Sequence, residues 1–146
     1  MKNTRPRVAP SRAGVRRIFL VEPSSLPSHL MLSAICGGES VTFIDSCSEI
    51  QFSGKPLFTR EGTLLNNARA EKSTLVFRSD FRIPDDRRVA FLVEQVNGKC
   101  FLIGTREPNY PVVEYSDTSG DPAGDPAIRT YKITHTDIRS GLPVLL

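Results

Sequence analysis

Apolar residues along this chain recur mostly at every second position, the period of a strand with one buried face. Arg17-Ile18-Phe19-Leu20-Val21 is a first β-type run, stopped by Pro23. Val41 to Asp45 and Glu49-Ile50-Gln51-Phe52 alternate in turn, before Gly54 and Pro56 punctuate the chain. Between Leu57 and Leu65, the triplet Arg60-Glu61-Gly62 reads as a turn joining two short strands. Ser73 to Ile83 alternates again, setting Leu75 and Phe77 against Val76 and Arg78, until Pro84-Asp85-Asp86 turns the chain. Val112 to Tyr115 and Ile128 to Ile138 are later strands, the second placing Arg129, Tyr131 and Ile133 on one side.

The strongest local signal is a hairpin. Val89–Val96 and Lys99–Thr105 are branched and aromatic runs separated by Asn97-Gly98. Asn-Gly accepts the positive φ angles of a type I′ turn, whose twist matches the strands on either side. Both runs are apolar at nearly every position, which predicts strands covered on both faces. Glu94 and Gln95 mark the expected emergence into solvent near the turn.

Helical periodicity is scarce. Leu26 to Cys36 sets Leu26, Leu30 and Ile35 near helical spacing, with Ser25 as N-cap, Pro27 in the first turn and Gly37-Gly38 as the stop. Asn66 to Lys72 contains helix formers but is too short for more than one turn. Seven to nine short strands at turn spacings of about ten residues predict an all-β fold. The expected form is a mainly antiparallel sandwich or barrel with one short helix. The 11 Pro and 10 Gly among 146 residues fit many turns.

Charge changes the picture at the N-terminus. Lys2, Arg5, Arg7, Arg12, Arg16 and Arg17 lie in the first seventeen residues, with no Asp or Glu among them. Residues 18–146 then hold thirteen basic against sixteen acidic residues. The division expected is a basic, extended arm over 1–17 and a single β-domain over 18–146. At the other end, Gly141-Leu142-Pro143-Val144-Leu145-Leu146 is apolar enough to require a partner surface, on the body or on another subunit.

Candidate chemistry is sparse. No segment approaches the ~18 apolar residues of a membrane helix, and the four-residue run Ile18–Val21 is too short for a signal peptide. Cys36, Cys47 and Cys100 form no CxxC pair, so three reduced thiols in a reducing, cytoplasmic setting are expected. Cys100, among apolar neighbours, should be inert. There is no GxSxG, HExxH or P-loop, so no catalytic residue and no cofactor is nominated. His135 and Asp137 share a strand face and read as a surface polar pair. Asp117, Asp121 and Asp125 fall four apart, but Pro122 and Pro126 replace ligand positions, which makes 116–127 a solvated acidic loop. His29 and Cys36 lack the second pair that zinc needs. Arg78, Arg82, Arg87 and Arg88 are offset by Asp80, Asp85 and Asp86. Tyr110 and Tyr131 are the candidates for stacking a nucleic-acid base.

A cationic arm (Lys2, Arg5, Arg7, Arg12, Arg16, Arg17), an apolar C-terminus (Leu145, Leu146) and a Pro- and Gly-rich β-body suggest a subunit that engages its neighbours. In type, the chain resembles the small β-rich virion proteins of tailed phages, those of tail, neck or capsid surface. That resemblance implies a structural, non-enzymatic subunit, homo-oligomeric or bound to other structural proteins. It would be cytoplasmic before assembly and in the virion afterwards. A nucleic-acid-binding, OB-like domain using the arm on phosphates is the second reading. A small-ligand or enzymatic barrel is the third.

Overall fold

In the computed structural model the described residues are 14–26, 30, 47–65, 68–84, 86–106, 108–117, 119 and 128–144. They form nine strands: β1 Val15–Val21, β2 Cys47–Ile50, β3 Ser53–Leu65, β4 Ala68–Ser79, β5 Ala90–Gln95, β6 Cys100–Ile103, β7 Val112–Asp117, β8 Arg129–Asp137 and β9 Leu142–Val144. One sheet has the order β2-β1-β5-β6-β9 and the other β3-β4-β8-β7, with every pairing antiparallel. The expected all-β sandwich is what the chain adopts.

Alternation decides which side chains meet between the sheets. Ile18, Ile50, Phe91, Val93 and Ile103 project from the first sheet onto Leu75, Phe77, Tyr131 and Ile133 of the second. The intervening positions of the first sheet, among them Phe19, Val21, Ala90, Leu92 and Leu102, form a second apolar cluster on its outer face. Leu26 and Leu30 cover that cluster, and Leu142 and Val144 of β9 join it. The unbroken apolar run of β5 thus has a physical cause, because both of its faces are buried.

The β5–β6 hairpin forms, but with a different turn. Gln95 N–H bonds to the Lys99 carbonyl at 2.8 Å and Gly98 N–H to the Gln95 carbonyl at 3.0 Å, leaving a three-residue loop. Gly98 alone supplies the left-handed position, at φ +87°, as in hairpins closed by a turn plus a glycine bulge. Asn97 serves instead as a side-chain acceptor for Lys99 N–H, at 3.0 Å. Glu94, expected to emerge into solvent, is only 7% exposed, within β5 opposite Arg17 and Cys100.

Other expectations are corrected. Arg60-Glu61-Gly62 is no turn: β3 runs straight through it, with Gly62 opposite Glu71. The helix formers of 68–72 lie in β4, where ladder pairing outweighs a weak propensity over a few residues. Pro23–Ser25 is a 3-10 turn, and Leu26 is extended at φ −86°, ψ 149°, so Ser25 caps no helix beginning at Leu26. Of that helix only Leu26 and Leu30 are described, while the strand over 41–45 and the loop over 120–127 fall outside the described residues. β1 begins at Val15, so Arg16 and Arg17, assigned to the arm, belong to the sheet.

Gly104, just after β6, has φ +97°, and a Cβ there would sit 2.9 Å from the Pro111 ring and 3.3 Å from Ala90 Cβ. Gly104→Ala therefore combines backbone strain with a clash against a rigid ring. The expected loss is roughly 1–2 kcal/mol of unfolding free energy, measured by urea denaturation. A variant as stable as the parent would show that the Pro111 segment yields freely.

Candidate functional site

The nominated partner-binding residues fall into two groups. Lys2, Arg5, Arg7, Arg12, Leu145 and Leu146 lie outside the described residues. Arg16 is exposed on β1, whereas Arg17 is engaged within the chain: its Nε donates to Glu94 Oε2 across the β1–β5 pair. The Arg17 guanidinium also lies 5.4 Å from the Phe19 ring centroid. Arg17 thus neutralises a buried carboxylate and is spent on the fold. Both ends of the described chain lie beside the β5–β6 turn. The Gly14 carbonyl accepts Val96 N–H at 3.0 Å, and Val144 is opposite Cys100.

The most conspicuous projection is the far half of the β3–β4 hairpin. β8 pairs with β4 only from Glu71 to Ser79. Beyond Glu71 the pairs Thr63↔Ala70, Leu64↔Arg69 and Leu65↔Ala68 continue as two strands without a third among the described residues. At about 3.3 Å per residue this ribbon extends on the order of 10 Å past the sheet. Thr63, Leu64, Ala68, Arg69 and Ala70 are all exposed, Leu64 at 73%. Arg69 Nη2 donates to Glu71 Oε1 at 2.9 Å at its base.

His135 is not the surface partner of Asp137. It follows Tyr131 and Ile133 on the inward face of β8 and is 2% exposed. Its Nε2 lies 3.1 Å from the Asn109 carbonyl, an acceptor only, so Nε2 carries the proton and Nδ1 accepts from Ser140 Oγ at 2.7 Å. Ser140 Oγ is also 2.7 Å from Ser73 Oγ, and Ser140 N–H donates to Glu71 Oε2 at 2.9 Å. The hydroxyl–imidazole distance matches that of a nucleophile and its base. However, Ser73, Ser140 and His135 are sealed from solvent, so the network ties β4, β8 and the β8–β9 turn together. Burial pushes the His135 pKa down, opposed by the Asn109 hydrogen bond and the Asp137 charge. The parity of β8 carried the signal, since a residue in step with Tyr131 and Ile133 points inward.

A second feature lies between β7, β8 and the segments 83–84, 87–89 and 110–111. There a cavity of about 310 Å³ is lined by Arg87, Arg88 and Arg129 together with Tyr110, Tyr115 and Tyr131. Ile83, Val89 and Val113 supply its apolar wall. Arg129 is fixed as a fork on Asp117, Nε to Oδ1 at 2.6 Å and Nη2 to Oδ2 at 2.9 Å. That fork lowers the Asp117 pKa and raises that of Arg129. The Arg129 guanidinium lies 3.9 Å from the Tyr115 ring centroid, and that of Arg88 lies 4.4 Å from Tyr110. Arg87 donates to Glu22 Oε1 at 2.9 Å, whereas Arg88 has no carboxylate partner among the described residues.

Of the two tyrosines nominated for stacking, Tyr131 is 1% exposed. Its hydroxyl donates to the Phe81 carbonyl at 2.8 Å and accepts Ile83 N–H at 3.2 Å. It backs the cleft rather than forming a platform. Tyr110 is partly exposed, and its hydroxyl donates to the Arg106 carbonyl at 3.0 Å. Tyr115, which sequence reasoning missed, is 59% exposed. Its place directly opposite Tyr131 in the β7–β8 ladder brings the rings together.

Cys100 is buried and its thiol pKa is pushed up by desolvation, as its apolar neighbours predict. Cys47 is half-buried at the start of β2. Asp117 is engaged by Arg129, while Asp121 and Asp125 lie outside the described residues. Among the described residues no group of three or more His, Cys, Asp and Glu side chains is arranged to hold a metal ion. No helix among them is long and apolar enough to cross a membrane. No family model, curated protein or solved structure matches this chain.

Proposed function

We propose that this protein is a structural subunit of a multi-protein assembly, of the type found among small β-rich virion components of tailed phages. The observation that carries the reading is the two-stranded ribbon beyond Glu71. An isolated pair of strands is marginal in water, and this one exposes Leu64 at its far end with no core beneath it among the described residues. A neighbouring copy supplies the missing surface, either by covering Leu64 or by adding a strand to the edge of β3 that no described strand pairs with. The basic N-terminal arm, leaving the sandwich beside the β5–β6 turn, is the second contact in this proposal.

Light scattering coupled to size exclusion tests it on the full chain. Oligomers are expected at low and at physiological salt, and Leu64→Glu should weaken their association roughly tenfold or more. Under dilute conditions where both proteins are monomeric, the same substitution should leave the melting temperature unchanged, because Leu64 belongs to neither core cluster. A parent protein that is monomeric at every concentration and salt overturns the reading. So does a Leu64→Glu protein that assembles as the parent does.

A further inference from the structure

We propose that the arginine–tyrosine cleft binds a nucleotide, either free or as one unit of a single strand. The assembly reading makes no use of this cleft, so the two stand or fall separately.

All three tyrosines of the chain converge here, alongside three arginines, and no carboxylate lines the cavity among the described residues. A purely apolar occupant would strip water from guanidinium groups and return no hydrogen bond. A bare inorganic anion would leave the Ile83, Val89 and Val113 wall and the tyrosine rings without a partner. The ligand that satisfies both halves has a flat ring and an attached anion. Arg88 is positioned for the anion, since no carboxylate neutralises it among the described residues and its guanidinium can fork onto phosphate oxygens. Its packing on Tyr110 holds the group in place before binding. Arg129 plays a different part: clamped by Asp117 and layered on Tyr115, it extends a rigid π-surface on which a base can stack. The volume of about 310 Å³ lies at the small end of ligand pockets, suited to one nucleotide unit rather than to a paired duplex.

The test uses the full chain, titrated calorimetrically with adenosine monophosphate and with inorganic phosphate. A labelled single-stranded oligodeoxythymidylate is followed in parallel by fluorescence anisotropy. Arg88→Ala and Tyr110→Ala should each weaken nucleotide binding roughly tenfold, and Tyr110→Phe, which keeps the ring, should retain it. Lys99→Ala, at the β5–β6 turn, removes an exposed charge without touching the cleft and should bind as the parent does. Thermal melts confirm that each variant is folded. Displacement of the strand by the mononucleotide supports a site for a free or terminal unit. A strand that binds and is not displaced supports an internal unit. The proposal is overturned if neither ligand binds, if both alanine variants bind as the parent does, or if inorganic phosphate binds as tightly as the nucleotide.

Discussion

Replacing Phe91 with alanine should lower the unfolding free energy by about 3–5 kcal/mol, the range for large-to-small changes in a close-packed core. Phe91 is fully buried on β5, the central strand of the five-stranded sheet, paired with Leu20 on one side and Ile103 on the other. Its side chain belongs to the cluster that holds the two sheets together, with Leu75, Phe77 and Tyr131 contributed from the facing sheet. Neighbours held in two hydrogen-bonded ladders cannot collapse into the vacated space, which places the cost in the upper part of that range. Domains of this size have about 5–15 kcal/mol in total, so the substitution removes a large fraction of the stability. A matched control is Leu57→Ala on β3, 60% exposed, for which a change within about 0.5 kcal/mol is expected. Urea denaturation followed by far-ultraviolet circular dichroism measures both. A Phe91→Ala loss below about 1 kcal/mol would mean that the two sheets do not share this core.

How much of this was legible in the sequence depended on whether local pattern and burial agreed. They agreed for β5 and β6, where continuous apolar residues could only be covered on both faces; in β8 alternation set Tyr131 and Ile133 on one side, yet Tyr131 was taken as a stacking candidate although that side faces the core. They disagreed along the β3–β4 ribbon. A strand exposed on both faces has no reason to alternate, so Arg60-Glu61-Gly62 looked like a turn and 68–72 like helix. The ladder that overrides those local preferences joins residues on either side of positions 66 and 67, and single-strand periodicity carries no record of it. Glu94 failed for a related reason. Its polarity suggested solvent, but the residue that makes its burial tolerable, Arg17, lies 77 positions away.

The candidate sites were less legible than the fold because both are made by convergence. The cleft draws on residues near 87, 110, 115 and 129, separated in sequence and joined by the β7–β8 ladder and the segment entering β5. Tyr115 could be recognised only once its cross-strand partner was known. The Ser73–Ser140–His135 network likewise needs the register that sets Ser73 opposite His135 and the turn that returns Ser140 beneath them. In isolation, His135 two residues before Asp137 looks like a surface pair.

That network carries the second large expectation: the protein should lose stability as pH falls below about 6.5, with His135 as a principal cause. The unfolded imidazole titrates near its ordinary value of 6.5, while burial of the native imidazole lowers its pKa. Between those two values the unfolded chain binds a proton that the folded chain refuses. Stability therefore rises with pH across this window, by up to about 1.4 kcal/mol per pH unit for one proton. The contribution is fully present above 6.5 and is lost as pH falls toward and through the native pKa, below which both states are protonated and its slope vanishes. The chemistry agrees with the sign. A proton on Nδ1 reverses this bond, so that the Ser140 hydroxyl must accept it and turn its own proton to Ser73 Oγ, 2.7 Å away, while the new imidazolium charge sits in a site closed to water. Urea midpoints between pH 7.5 and 5, for the parent and for His135→Gln, measure the effect. The variant should be less stable at pH 7.5, because Asn109 and Ser140 lose a fitted partner, yet flatter with pH, because its amide does not titrate. Parallel pH profiles for the two proteins would locate the acid sensitivity elsewhere and reduce His135 to a packing residue.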